Sequence, residues 1–440
     1  MKLKSRLTAT LLALAAGTAA FAQGTGTVNE GQTLIPQRAI ILHGDPSRAD
    51  SSVIAVFYSR ENLDFSDADA PRFMLLDRDG KIAFGIGGSL YATASYDFGG
   101  SIDDYNFTTY DIQVPNNAEF RQRFGAGAQA SSLTAKLVGK TKKFGLFKVY
   151  FQAKFTGDDG GYGFKLKQAY ASVGHLTAGL TNSTFIDNDV QAPTIDPQGA
   201  CGQVSEKSMI IRYATSTYKG FSGAISVELP KVSMTQNTFV TDGIETAGTT
   251  KIAQRVPDIP VYIQYSWAKG SHVRASAIFR DICYRDLLAG KNRFEAGWGV
   301  KGSFIFDIAG IVQPFGHVSY GKGISQFVND LSGEGFDLIP DASDRGRLTV
   351  APSMTWTGGF YVHFTPKLFA TASVSRAQLF DCGHLGPDTY RFGMYECANM
   401  FYDVDDNLRL GAEYLHGTRN NYSGEHGKAN RINVLLQYSF

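Results

Sequence analysis

The chain has 440 residues, a formal net charge of +1 and 19% charged residues, which excludes polyelectrolyte behaviour. Its length allows several soluble domains or one large β-architecture. Its 48 glycines accompany a 12% aromatic share, a combination that fits tight turns and long strands better than helices.

The first 22 residues carry Lys2, Lys4 and Arg6, then a short apolar stretch ending in Ala20-Phe21-Ala22. That order is a cleavable export signal, too short and too rich in small residues for a membrane anchor. No later run approaches the ~20 apolar residues of a spanning helix. Residues 23–81 are mixed, with acidic turn residues and neither strand periodicity nor heptads. A periplasmic extension, a trimer-contact arm and a partial plug all remain open for them.

From residue 82 the pattern changes. In "IAFGIGGSLYATASYDF" every even position is apolar or glycine, a period-2 run far longer than a globular strand of five or six residues. The signature recurs and predicts sixteen strands: 82–98, 130–140, 146–156, 163–173, 175–182, 207–215, 220–229, 259–268, 271–280, 293–306, 310–321, 347–365, 367–377, 389–402, 406–416 and 429–440. Strands 310–321 and 389–402 alternate poorly, and Pro314 and Pro352 predict bulges or irregularity. The connections alternate between long and short, so an up-and-down meander would carry its long loops at one end. Outer-membrane barrels have that asymmetry, with short turns on the periplasmic side. A soluble sandwich would alternate similarly, but rarely with strands this long. The expected fold is therefore an all-β, antiparallel transmembrane barrel over 82–440.

If the apolar phase faces lipid, the opposite phase lines the lumen. It carries Lys136, Lys140, Lys148, Lys154, Lys165, Lys167, Arg212, Arg274, Arg280, Arg293, Lys301, Arg347, Arg391, Arg409 and Arg431, against the acids Asp97, Glu228, Glu295 and Glu413. A basic wall lowers the entry cost of anions, although basic residues also suit any solvated inner face. The segment 182–206 has the proline and glycine punctuation of a fixed course. Two readings stay open for it: an inward constriction, with Asp187, Asp189 and Asp196 against that wall, or an exposed loop.

Catalytic and cofactor signals are missing from the sequence. The eight histidines are scattered without metal-ligand spacing, and no GxSxG, phosphate-binding loop or dinucleotide fingerprint occurs. No enzyme, cofactor or nucleic-acid partner is expected. The four cysteines, Cys201, Cys283, Cys382 and Cys397, fit neither a zinc nor a redox motif. Export allows a disulfide between surface loops. The chain stops on "NRINVLLQYSF", whose Ile432, Val434, Leu436, Tyr438 and Phe440 share one face. This is read as the closing strand, with Tyr438 and Phe440 as an assembly signal.

The stretches "KLKQAYASVGHLTAGLTNSTFIDNDVQAPTIDPQG", "YGKGISQFVND" and "EYLHGTRNNYSGEHGKANRINVLLQYSF" resemble the DcaP-like group of bacterial outer-membrane porins and, more distantly, the phosphate-selective porins. The resemblance spans roughly residues 80–440. It implies a homotrimer of sixteen-stranded barrels in the outer membrane of a Gram-negative bacterium, passing small, often negatively charged solutes. The coiled coil that some members carry before the barrel is not evident, nor is a dense arginine and lysine ladder. Anion-leaning diffusion of small anionic or neutral solutes is thus expected rather than phosphate specificity. The expected partners are the lipid bilayer, lipopolysaccharide and the outer-membrane assembly machinery. A structural or adhesive barrel with a blocked lumen and partner-binding loops is the alternative.

Overall fold

A computed structural model describes residues 40–43, 50–59, 73–102, 104–157, 161–268 and 270–440. The export signal at 1–22 and most of the segment before residue 73 lie outside the described residues.

Sixteen long strands follow one another around a closed antiparallel barrel. We number them β1 Ile82–Phe98, β2 Ser132–Thr141, β3 Gly145–Thr156, β4 Tyr162–Val173, β5 Leu176–Asn182, β6 Lys207–Ala214, β7 Phe221–Glu228 and β8 Ile259–Ala268. The second half comprises β9 Ser271–Asp286, β10 Lys291–Ile305, β11 Val312–Lys322, β12 Pro352–Thr365, β13 Leu368–Leu379, β14 Tyr390–Asp403, β15 Leu408–Asn421 and β16 His426–Ser439. Each pairs with its sequence neighbour, and β16 closes on β1 from Asn430↔Phe98 to Ser439↔Ser89. Closure leaves no open edge between the first and last strands, the condition for a sheet to stand in lipid.

The side-chain distribution is that of a membrane barrel. On β1, Ile82, Ile86, Leu90 and Tyr96 are exposed, whereas Ser89, Tyr91 and Asp97 are buried. Large apolar side chains thus face outward and polar ones inward, the reverse of a soluble sheet.

The seam explains the chain end. Phe440 donates its amide to the Gly88 carbonyl and accepts the Gly88 amide, both at 3.0 Å. A Cβ on Gly88 would stand 2.4 Å from the Ser132 carbonyl oxygen and 3.0 Å from Phe440 Cζ, so only glycine fits. Below that point the edge of β1 pairs with the short strand Phe73–Leu76, from Phe73↔Ile86 to Leu76↔Ala83. That strand in turn pairs in parallel with Ile40–His43. The edge of β1 beyond the end of β16 is therefore covered by Phe73–Leu76.

Several boundaries differ from the sequence expectation, and for physical reasons. Gln122–Gly127, placed in a loop by its sequence, pairs with the upper half of β1. The strand β9 continues to Asp286. Its outward positions Asp281 and Arg285 interrupt the apolar phase, as they would where a strand rises out of the lipid and both faces meet water. Conversely, 347–351 is not part of β12. Leu348–Val350 pairs with Leu338–Pro340 inside an outer loop, and β12 begins at Pro352. Arg347 is therefore a loop residue, 3.9 Å from Asp344, and not on the barrel wall. Arg391 sits at the register shift between Tyr390 and Phe392 with its side chain exposed, so it too leaves the inner face. No disulfide forms: all four cysteines are free, with Cys201, Cys283 and Cys397 buried apart and Cys382 exposed.

Candidate functional site: the lumen

Segments from three outer loops enter the barrel. Ile102, Phe107 and Ile112 from the first, Ala200 and Cys201 from the second, and Val328, Leu331 and Ile339 from the third pack into one buried cluster. Their wall partners include Ala377, Leu379, Tyr395, Cys397, Leu415 and Ala429 of β13–β16. These inward positions are apolar, so β14 offers no polar-in, apolar-out alternation. That accounts for the weak periodicity of 389–402.

The second loop, 183–206, crosses the lumen on a fixed course. Glu413 of β15 accepts the amides of Ile195 (2.7 Å) and Asp196 (3.0 Å). Tyr91 of β1 donates to the Ile195 carbonyl at 3.1 Å, and Asn399 of β14 to the Pro193 carbonyl at 2.6 Å. Ser375 of β13 accepts the Gly202 amide at 2.9 Å. Tyr361 of β12 donates to the Gln191 carbonyl.

Asp187 is fully buried against β9 and β10. It lies 3.0 Å from His272 Nε2 and 3.5 Å from Arg274, and accepts Ser303 Oγ at 2.5 Å. Burial by itself would raise its pKa. The His272 hydrogen bond and the charges of Arg274 and Lys301 outweigh it and hold the carboxyl well below the usual range. Asp189 stands 3.9 Å from His272 Nδ1, with its pKa raised by burial and by the Asp187 charge. Ligating atoms of Asp187, Asp189 and His272 lie within 4.8 Å of one another. Arg274 and Lys301 already supply positive charge at that point, so the cluster reads as an anchor for the loop rather than a cation site. Asp196, 9 residues along from Asp187, does not join it. It accepts the amides of Phe107 (3.0 Å), Gln198 (3.2 Å) and Gly199 (3.1 Å), and burial raises its pKa.

The inward cations fall into two groups. Arg431 is bound to Asp97 at 2.6 Å, Arg280 to Asp258 and Asp337 at 3.2 Å each, Arg293 to Asp286 at 2.7 Å and Arg409 to Asp403 at 2.5 Å. The Arg280 and Arg431 pairs are fully buried, whereas those of Arg293 and Arg409 are partly exposed and join neighbouring strands; paired in this way, the four arginines present little net charge. Asp258, Asp337 and Asp286 went unassigned in the sequence because loop acids and strand ends carry no periodic signal. The second group lies on β3, β4 and β6. Lys148, Lys154, Lys165, Lys167 and Arg212 occupy inward positions there, and no acidic partner stands within 4.0 Å of Arg212.

Two adjoining cavities lie beside the crossing loop, and the smaller one touches Lys154 and Lys167 of that second group. A cavity of about 1050 Å³ is lined by Thr93, Ser95, Asp104, Tyr105, Arg123, Asp196 and Asn433. A second, of about 240 Å³, is lined by Lys154, Lys167 and Lys207 on one side and Asn188, Gln191, Thr194 and Gln198 on the other. Both include Asn106, Thr156, Asp196 and Pro197, so they adjoin. The free lumen is thus eccentric, running between the lysine-bearing wall and the crossing loop.

Residues of the amino-terminal segment meet the opposite mouth. Helix α1, Ser51–Phe57, is capped by Asp50, whose carboxylate accepts the Ser52 amide at 2.9 Å, and it buries Val53, Ile54 and Phe57. Lys140 of β2 pairs with Asp50 at 2.9 Å, and Lys136 donates to the Ser59 carbonyl at 2.8 Å. Both lysines point inward, which puts 50–59 against the lumen side of β2 near its short turn.

Known proteins agree with this architecture. A family model, DcaP outer membrane protein, matches residues 64–275. The crystal structure of the outer membrane channel DcaP of Acinetobacter baumannii superposes with a TM-score of 0.69 at 19% identity, covering 83% of this chain and 99% of that one. An anion-selective porin from Comamonas acidovorans gives a TM-score of 0.52 at 10% identity, covering 82% of this chain and all of that one (100%). No curated protein matches by sequence. Over residues 64–275 the sequence is similar to the DcaP outer membrane protein family, and the closed barrel has the fold of an outer-membrane porin.

Proposed function

We propose that the barrel is a passive channel for small hydrophilic solutes, with anions favoured, working as a homotrimer without catalysis or cofactor. The observation that carries this reading is the asymmetry of the lumen. Arg280, Arg293, Arg409 and Arg431 are bound to acids, while Lys154, Lys167 and Lys207 border the open space beside the crossing loop. A cationic wall in a narrow aqueous path raises the local concentration of anions and lowers their entry cost. The crossing loop, with Asp187 and Asp189 held to β9, acts as the constriction. One structural neighbour, the Comamonas porin, is itself anion-selective.

Reversal potentials across planar bilayers in a salt gradient test the reading. The wild type should prefer chloride over potassium. Lys154→Gln with Lys167→Gln should lower that preference severalfold while single-channel steps persist, and a cation-preferring wild type would overturn the proposal. The apolar cluster filling part of the lumen favours a second reading, a blocked barrel whose outer loops bind a partner. Absence of any steady ohmic step would select it.

A further inference from the structure

One sector of the barrel, β13–β16, carries polar side chains on its outer face. On its inner face Ala377, Leu379, Tyr395, Cys397, Leu415 and Ala429 pack on the loop cluster, beside the buried polar side chains Ser375, Asn399, Glu413 and Arg431. Its outer face carries Arg376, Glu396, His416 and Asn430 among apolar neighbours such as Val374, Met400, Tyr414 and Ile432. By contrast, the outward positions Ile211, Ile225, Val261, Ile263 and Val300 of β6–β10 are exposed and apolar.

Register fixes the height of Glu396. Directly opposed residues form the row Gly316↔Gly358↔Val374↔Glu396↔His416↔Asn430↔Phe98. Because strands tilt in a barrel, this row climbs from near the inner turn of β11 to the outer end of β1. Glu396 stands midway, within the apolar belt. Its carboxylate is exposed and makes no hydrogen bond or ion pair among the described residues. Beside it the wall is indented: Gly358, Ala372 and Ala398 floor a cavity of about 470 Å³ edged by Phe360, Val374 and Tyr414. His416 Nδ1 and Tyr414 Oη both meet Asn430 Oδ1, at 2.8 and 2.9 Å, so this polar row is ordered.

A carboxylate facing hydrocarbon at mid-height, beside an indentation that lipid tails would fill without hydrogen bonds, is unfavourable. We infer that the outer face of β12–β16 is covered by a second copy of this chain, whose side chains enter the indentation and pair with Glu396. The face carries both signs of charge, Glu396 against Arg376 and His416, so copies related by rotation can satisfy one another. This rests on the homotrimer reading and goes beyond it by naming the face.

The test uses the full chain in detergent. p-Benzoylphenylalanine replaces Ala398 on this face in one preparation and Ile263 on the far wall in another. Light scattering of the wild type should give a three-chain mass, and irradiation should yield two-chain adducts from position 398 only. A one-chain mass would sink the trimer reading itself. A three-chain mass with adducts from 263, or none from 398, would overturn the assigned face alone. Glu396→Leu separates a buried carboxylate from a lipid-facing one. It should lose trimer at a detergent concentration that preserves the wild type, whereas an unchanged or higher trimer fraction would count against the pairing.

Discussion

Asp330, in the third inward segment, is held by Thr109 Oγ1 and by the Tyr110 amide at 3.2 Å. Burial pushes its carboxyl up to about 7. A carboxyl raised above its unfolded value of about 3.9 contributes stability that is complete below pH 4 and disappears as pH rises through 7. The joint between the first and third loops should therefore loosen between pH 6 and 8. Open-channel current noise should rise severalfold over that interval in the wild type and stay flat in Asp330→Asn. Equal pH dependence in both would contradict the assignment. At this scale the sequence was only half legible. It marked Lys154, Lys167 and Arg280 as inward by phase alone, but phase cannot tell a cation beside water from one sealed by Asp258 and Asp337. Those acids come from loops, and their partners are set by the tertiary path.

The strands themselves were readable wherever lipid imposed the pattern on one face. They became obscure where both faces met water, as at the top of β9, or where loops gave β14 an apolar inner face. Loop 183–206 shows the same limit. Its prolines announced a fixed course, yet nothing local in the sequence announced that Glu413, Asn399 and Tyr91 would tie it across the lumen. Deleting 186–200 should widen the path and raise single-channel conductance at least twofold. Unchanged conductance would mean that the narrowest point lies elsewhere.

For the molecule as a whole, closure is the controlling event, and the last residue takes part in it. Phe440 makes the terminal pair of hydrogen bonds with Gly88 and lays its ring beside that glycine. Deleting Phe440 should sharply reduce the amount of protein inserted in the outer membrane, measured by surface labelling, while inserted channels keep their conductance. Normal surface levels would refute the role.

The helix at the inner mouth has a consequence for how a solute leaves. Lys136 and Lys140 continue the basic wall below the constriction, but a backbone carbonyl and Asp50 already engage their ammonium groups. For an anion, the pull of Lys140 is thus offset by Asp50 near the periplasmic end. A path whose hold weakens along the direction of travel favours release over retention, and rapid passage needs that as much as entry.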